Sequence, residues 1–210
     1  MFSDKAYDLR QEGNAEEINE DEARKELSNF LELLIMFKPE MYTKIKSVGD
    51  ACVVVGKALG IKEVQFYLAG YYSNFGLLSV ESYATKHTKL AEDERDLLHM
   101  HTITSMEFMK LKKFHIASEL AYYHHEYPDK SGFLSTQNIR YKESYIIHII
   151  DSFIEYISRK QYRPSYSRRM AIEKSTKPYE NYPTMITPED LTIIKDTLMI
   201  IEHKEIGTII

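Results

Sequence analysis

Tryptophan is absent from this chain, cysteine occurs once (Cys52), and glycine and proline are sparse at 8 and 6 of 210 residues. A single cysteine excludes an internal disulfide framework and a zinc–cysteine centre. Few glycines and prolines disfavour a turn-rich β-sandwich and favour helices. No apolar run is long enough to span a bilayer. Asp4 and Asp8 within Met1–Arg10 argue against a signal peptide. With the lone thiol, these features lead to an expected cytoplasmic location and no membrane partner. An excess of basic charge is also missing: the net charge is −5, which argues against broad nucleic-acid binding. What is present is 43% hydrophobic and 28% charged residues, the balance of a globular chain able to bury a core. Tyrosine (16) and histidine (8) are plentiful, and the functional reading turns on where the histidines fall.

The first twenty residues are acidic and without periodicity, a solvated tail or a helix start. From Ala23, apolar residues recur at helical steps (Leu27, Phe30, Leu31, Leu34, Phe37) until Pro39. A second helix is expected over Pro39–Leu59, with Pro at its first position and Gly60 past its end. Further helices are expected near Lys62–Tyr72, Ala91–Leu111, Phe114–His125 and Arg140–Arg159. A last one is capped by Thr187 and followed by Pro188. A break containing Gly76 falls over Asn74–Ser82, and Glu126–Ile139 reads as a loop with Pro128 and Gly132. The stretch from Pro164 to Pro183 has room for at most one short helix. The expected fold class is all-α, a bundle of about seven or eight helices. Residues 1–38 form an acidic segment and helix, and residues 39–210 the main helical domain.

The chemistry-bearing residues cluster around His124-His125-Glu126. Adjacent histidines on a helix point about 100° apart, so they serve neighbouring metals, or one metal if the helix ends there. His101 lies one helix earlier. Asp151 interrupts an apolar helix, where an unpaired carboxylate is costly to bury. Three imidazoles and a carboxylate on successive helices suit a transition metal, although single histidines at helix ends are ordinary. Lys160 and Arg163, with Arg159, Arg168 and Arg169 nearby, make a local basic cluster. It reads either as a phosphate site or as cations complementing a helix C-terminus. Cys52, between Ala51 and Val53, reads as a core residue.

Over Glu40–Ala171 the sequence resembles the HD-GYP domain, a subfamily of the HD metal-dependent phosphohydrolases that hydrolyses cyclic di-GMP. The resemblance rests on several stretches: Lys44–Val48 through Ala58-Leu59-Gly60, Leu68–Gly76, Asp93–Ser105, His124–Glu126 with Asp129–Phe133, and Ile147–Arg163. It implies an HD-domain-like helical bundle. It also implies metal ligands at Glu40, His101, His124, His125 and Asp151, and phosphate contacts at Lys160 and Arg163. The departures are as informative. The family's first ligand histidine falls on Lys44, its HD pair on Ser73-Asn74, its motif lysine on Leu77, and its GYP tripeptide on Gly132-Phe133-Leu134.

Asn74 cannot supply an anionic bridge between two metals, and Leu77 cannot stabilise charge on a phosphate. Glu40 and Lys44 share a helix face. An ammonium facing Glu40 or Asp151 disfavours a nearby divalent ion. The expectation is therefore no catalytic residue and at most one divalent metal (Fe, Mn or Zn). The bland alternative is that Lys44 reaches solvent and the histidines are neutral core residues. The expected function is an inactive HD-GYP-like sensor, scaffold or partner-binding module in bacterial cyclic-dinucleotide signalling, retaining an anion or cyclic di-GMP site. The alternative is a divergent metal-dependent phosphodiesterase or phosphohydrolase with a reduced metal site. Expected partners are a cyclic dinucleotide and a signalling protein. A second copy of the chain, docked through the acidic helix Glu20–Phe37, is a third expectation.

Overall fold

The computed structural model describes residues 19–84, 86, 88, 90–136, 139–158 and 164–201. Among them the chain is helical throughout, without a strand. The helices are α1 (Glu20–Phe37), α2 (Pro39–Ala58), α3 (Val64–Tyr72), α4 (Glu81–Ala84), α5 (Glu92–His99), α6 (His101–Leu111), α7 (His115–Tyr122), α8 (Glu143–Ile157), α9 (Arg168–Thr176) and α10 (Pro188–Ile200). Two 3₁₀ segments, Phe75–Val80 and Lys177–Tyr179, complete the set.

The ends of these helices follow from local chemistry. Asn19 caps α1 by accepting from the Glu22 N–H, and Thr187 caps α10 by accepting from the Asp190 N–H, with Pro188 in the first turn. Pro39 opens α2. Gly60 follows it at φ 72°, a left-handed conformation that closes the helix without a Cβ penalty.

The core is built around α2 and α8. Ile45, Val48, Ala51, Cys52 and Val55 of α2 are fully buried, as are Ile147, Ile149, Ile150 and Phe153 of α8. Fully burying each large side chain contributes roughly 1.5–3 kcal/mol. Helix α2 packs against α1, α3, α8 and α10, and α3 and α6 both pack against α7. The acidic helix α1 is part of this assembly: Phe30 packs on Tyr72 and Phe75, and Glu26 pairs with Lys112 at 2.9 Å. Cys52 is buried and its thiol is raised by desolvation, in keeping with a packing role. No helix among the described residues is long and apolar enough to cross a membrane.

Three expectations need correction, and all three corrections fall at the site. The segment Ala91–Leu111 is two helices, α5 and α6, broken at Met100. The expected break at Asn74–Ser82 is mostly a 3₁₀ helix. Helix α7 ends at Tyr122, so His124 and His125 lie beyond it, in a turn closed by Glu126 N–H to Tyr123 C=O at 3.0 Å.

Candidate metal centre

That turn is what brings the histidines together. Freed from the helical repeat, the His124 and His125 rings sit 4.0 Å apart, centroid to centroid. His101, the first residue of α6, lies 5.4 Å from His124 and 5.1 Å from His125. One nitrogen from each of the three rings falls within 4.8 Å of the others, the only such ligand grouping among the described residues.

The tautomers are set by backbone carbonyls. His101 Nδ1 is 2.6 Å from Leu98 O, and His124 Nδ1 is 2.6 Å from Ala121 O. A carbonyl only accepts, so Nδ1 carries the proton in both rings and Nε2 carries a lone pair. Both Nε2 atoms are buried without a partner. A carbonyl bonded to one ring nitrogen, with the other left bare, is the usual support for a metal-binding imidazole.

The carboxylate of the site is Asp151, buried on α8. Asn74, at the end of the turn after α3, donates from Nδ2 to Asp151 Oδ1 at 2.8 Å. That bond fixes the amide orientation, since a flipped amide would set oxygen against carboxylate. Asn74 Oδ1 is thereby left buried and unpartnered. The site thus holds three unsatisfied buried atoms, two imidazole nitrogens and an amide oxygen, all of them acceptors. A cation is the partner that satisfies such a set.

Lys44 supplies one positive charge already. Its Nζ is 4.0 Å from Asp151 Oδ1 and 3.8 Å from Glu155 Oε2. Burial pushes the Asp151 carboxyl up, but the Lys44 ammonium, His124 and the Asn74 amide outweigh it, and the carboxyl ends below its ordinary value. The imidazoles move the other way. Burial, and then the neighbouring His124, lowers His101 from 6.5 to about 3. Burial lowers His124, and burial with the surrounding histidines lowers His125 well below its ordinary value. The three rings are neutral at physiological pH, the state that binds metal.

Two glycines let the backbone carry these rings so close. A Cβ on Gly76 would lie 2.1 Å from His101 O. A Cβ on Gly132 would lie 2.6 Å from His125 O and 2.5 Å from Glu126 Cα. Each ligand-bearing strand of chain is therefore pressed against a residue without a side chain. Ser105 ties the first contact down, accepting from Gly76 N–H and donating to Ser73 O, both at 2.8 Å. Glu126 ties down the second: its buried carboxylate accepts from Leu134 N–H at 2.7 Å and Thr136 N–H at 3.1 Å. The loop so held lays Phe133 over His99 (3.6 Å, nearly parallel) and against His125 (4.5 Å). His148 lies behind His125, within reach of Tyr179 OH at 2.9 Å.

Of the residues anticipated from sequence, His101, His124 and His125 are brought together, with Asp151, Asn74 and Lys44 around them, while Ser73 accepts from Ser105 Oγ through its carbonyl. Leu77 is buried one turn after Asn74. Glu40 is not part of the centre: it stands exposed in the first turn of α2, one turn before Lys44. Lys160 and Arg163, with Arg159, lie outside the described residues. Arg168 is spent on the fold, donating to Leu198 O and Ile201 O. Periodicity gave no sign of Gly76, Ser105, Glu126 and Phe133 as supports. The glycines in the break and in the loop were the one available signal.

The chain matches no protein-family model and no curated protein by sequence. Solved structures do match. The HD domain of the L. monocytogenes phosphodiesterase PgpH superposes with a TM-score of 0.62 at 17% identity, covering 80% of this chain and 94% of that one. The same domain in complex with cyclic di-AMP superposes at 0.59 and 19% identity, covering 80% and 92%. At these identities the likeness establishes the fold: an all-α bundle of the HD-domain type.

Proposed function

We propose that this chain is a degenerate HD-GYP-like module of bacterial cyclic-dinucleotide signalling. In this reading it holds a single divalent ion on His101, His124 and His125, binds a cyclic dinucleotide, and acts as a sensor or scaffold without turning its ligand over. The observation that carries the reading is the pairing around Asp151. A neutral Asn74 amide bonds it at 2.8 Å and the Lys44 ammonium approaches to 4.0 Å. Between them they satisfy the carboxylate that a second metal would otherwise need. Lys44 also adds a fixed positive charge that opposes a second divalent ion. The neighbouring PgpH domain, crystallised with cyclic di-AMP, supports a cyclic dinucleotide as the ligand class.

The residues present suit one ion. Three neutral imidazoles favour a borderline ion such as zinc or iron, and their bare buried nitrogens give the ion a place. Once bound, such an ion offers an electrophilic anchor to a phosphate oxygen. This same observation favours the second reading, a divergent phosphohydrolase working with one metal.

Calorimetry with cyclic di-AMP and cyclic di-GMP on metal-loaded protein, followed by chromatography of the mixture, separates the two. The expected result is binding of at least one dinucleotide with no linear product after prolonged incubation. Release of linear dinucleotide would establish the phosphohydrolase, and absence of any binding would remove the cyclic-dinucleotide role.

A further inference from the structure

A cleft of about 650 Å³ opens beside the centre. It shares three residues with the site's own scaffolding. These are Lys44, which faces Asp151; Leu77, whose N–H bonds the Asn74 carbonyl; and Leu98, whose carbonyl holds His101. Its facing wall comes from α5 and the chain before it, and carries Lys86, Arg95 and Tyr83.

Three cations, Lys44, Lys86 and Arg95, line the cleft, two of them tied to carboxylates: Lys86 to Glu94, and Lys44 to Asp151 and Glu155. Glu155 is already drawn to Lys44 at 3.8 Å. The outer wall is held in place by Glu94, which accepts two bonds from Lys86 Nζ at 2.6 Å and one from Ala91 N–H at 2.9 Å. That arrangement fixes the approach to α5 and sets Arg95, the next residue, on the cleft. Its guanidinium is an always-charged fork that matches two oxygens of a phosphate group. Tyr83, Leu77 and Leu98 add an apolar and aromatic surface of the kind that takes a planar base.

We propose that Arg95 is the phosphate-recognising residue of this cleft, and that the cleft takes a nucleoside phosphate with its base against Tyr83. The assignment rests on the proposed dinucleotide role for its preferred ligand, but not for the position of the anion. It assigns phosphate recognition to α5, whereas the family resemblance implies Lys160 and Arg163.

The test is titration of full-length metal-loaded protein with cyclic di-AMP, ADP and inorganic pyrophosphate, in wild type, Arg95→Lys, Arg95→Glu and Tyr83→Ala. Arg95 is exposed, so melting temperature and metal content should stay at wild-type values in both Arg95 variants. Nucleotide affinity is expected to fall about tenfold or more in Arg95→Glu and less in Arg95→Lys, with a shallower salt dependence in Arg95→Glu. If cyclic di-AMP binds wild type and Arg95→Glu equally, this assignment falls while the signalling role stands. If no cyclic dinucleotide binds but ADP does, and Arg95→Glu weakens it, the signalling role falls while the cleft assignment stands. Pyrophosphate binding as tightly as ADP, with no effect of Tyr83→Ala, overturns the nucleotide assignment.

Discussion

Metal-free protein should lose stability steeply as the pH falls below 6.5. His101 and His148 are buried and neutral, with values near 3 and 4 in the folded chain against an ordinary 6.5. Once the chain unfolds, each takes up a proton near pH 6.5. The unfolded state therefore binds more protons, and stability drops as the pH falls from 6.5 toward the folded values. Between pH 6.5 and 5 these two groups together remove about 3 kcal/mol, a large part of an ordinary stability of roughly 5–15 kcal/mol. His124 and His125 are displaced the same way and deepen the loss. Asp151 sits below its ordinary value, so its contribution is full in this window and fades only at lower pH. Urea unfolding of chelator-treated protein at pH 7.5, 6.5, 5.5 and 5.0 gives the slope directly. A midpoint that does not change across that range would mean the imidazoles are not buried neutral.

Replacing Gly76 by alanine should be strongly destabilising. The new Cβ meets the carbonyl oxygen of His101 at 2.1 Å and two further His101 backbone atoms at 2.8 Å. No rotamer relieves a contact between Cβ and backbone, so the 3₁₀ helix or the start of α6 must move. Overpacking of this kind costs about 3 kcal/mol. In a chain of this length that lowers the melting temperature by about 10 °C. Displacing His101 should also weaken metal binding, an effect a merely destabilised core would not produce. Gly60→Ala is the control. It also adds a methyl, at φ 72°, but with nothing within 4 Å, so its cost is limited to roughly 1–2 kcal/mol of backbone strain and its metal affinity should be unchanged. Equal behaviour of the two variants would show that the Gly76 approach does not position His101.

The helices were largely legible because their signals are local: α1, α2, α8 and α10 follow from apolar spacing, from Pro39 and Pro188, and from the caps. The division at Met100 was not, because Leu97 to His101 contains no glycine or proline. There the break is made by side chains competing for carbonyls. His101 Nδ1 takes Leu98 O, Thr102 Oγ1 donates to His99 O, and the chain leans on Gly76 from a segment 25 residues away.

Resemblance to a known domain singled out His101, His124, His125 and Asp151, and it also proposed Glu40, which the α2 register leaves in solvent. The pairing that gives the site its character, Asn74 with Asp151, spans 77 residues and has no local sequence signature. Neither does the seating of Glu126 among the loop's N–H groups. A helical reading of Tyr122–His125 sends the two histidines apart, and only the early end of α7 makes them converge.

The number of ions at the three histidines is the most direct test of a reduced metal site. Elemental analysis of protein purified without chelator, combined with anomalous scattering from its crystals, counts and places them. One divalent ion per chain is expected, lying between His101, His124 and His125, and lost in a His124→Ala variant that keeps its helical circular dichroism. Two ions bridged at Asp151, or none at the histidines, would contradict it.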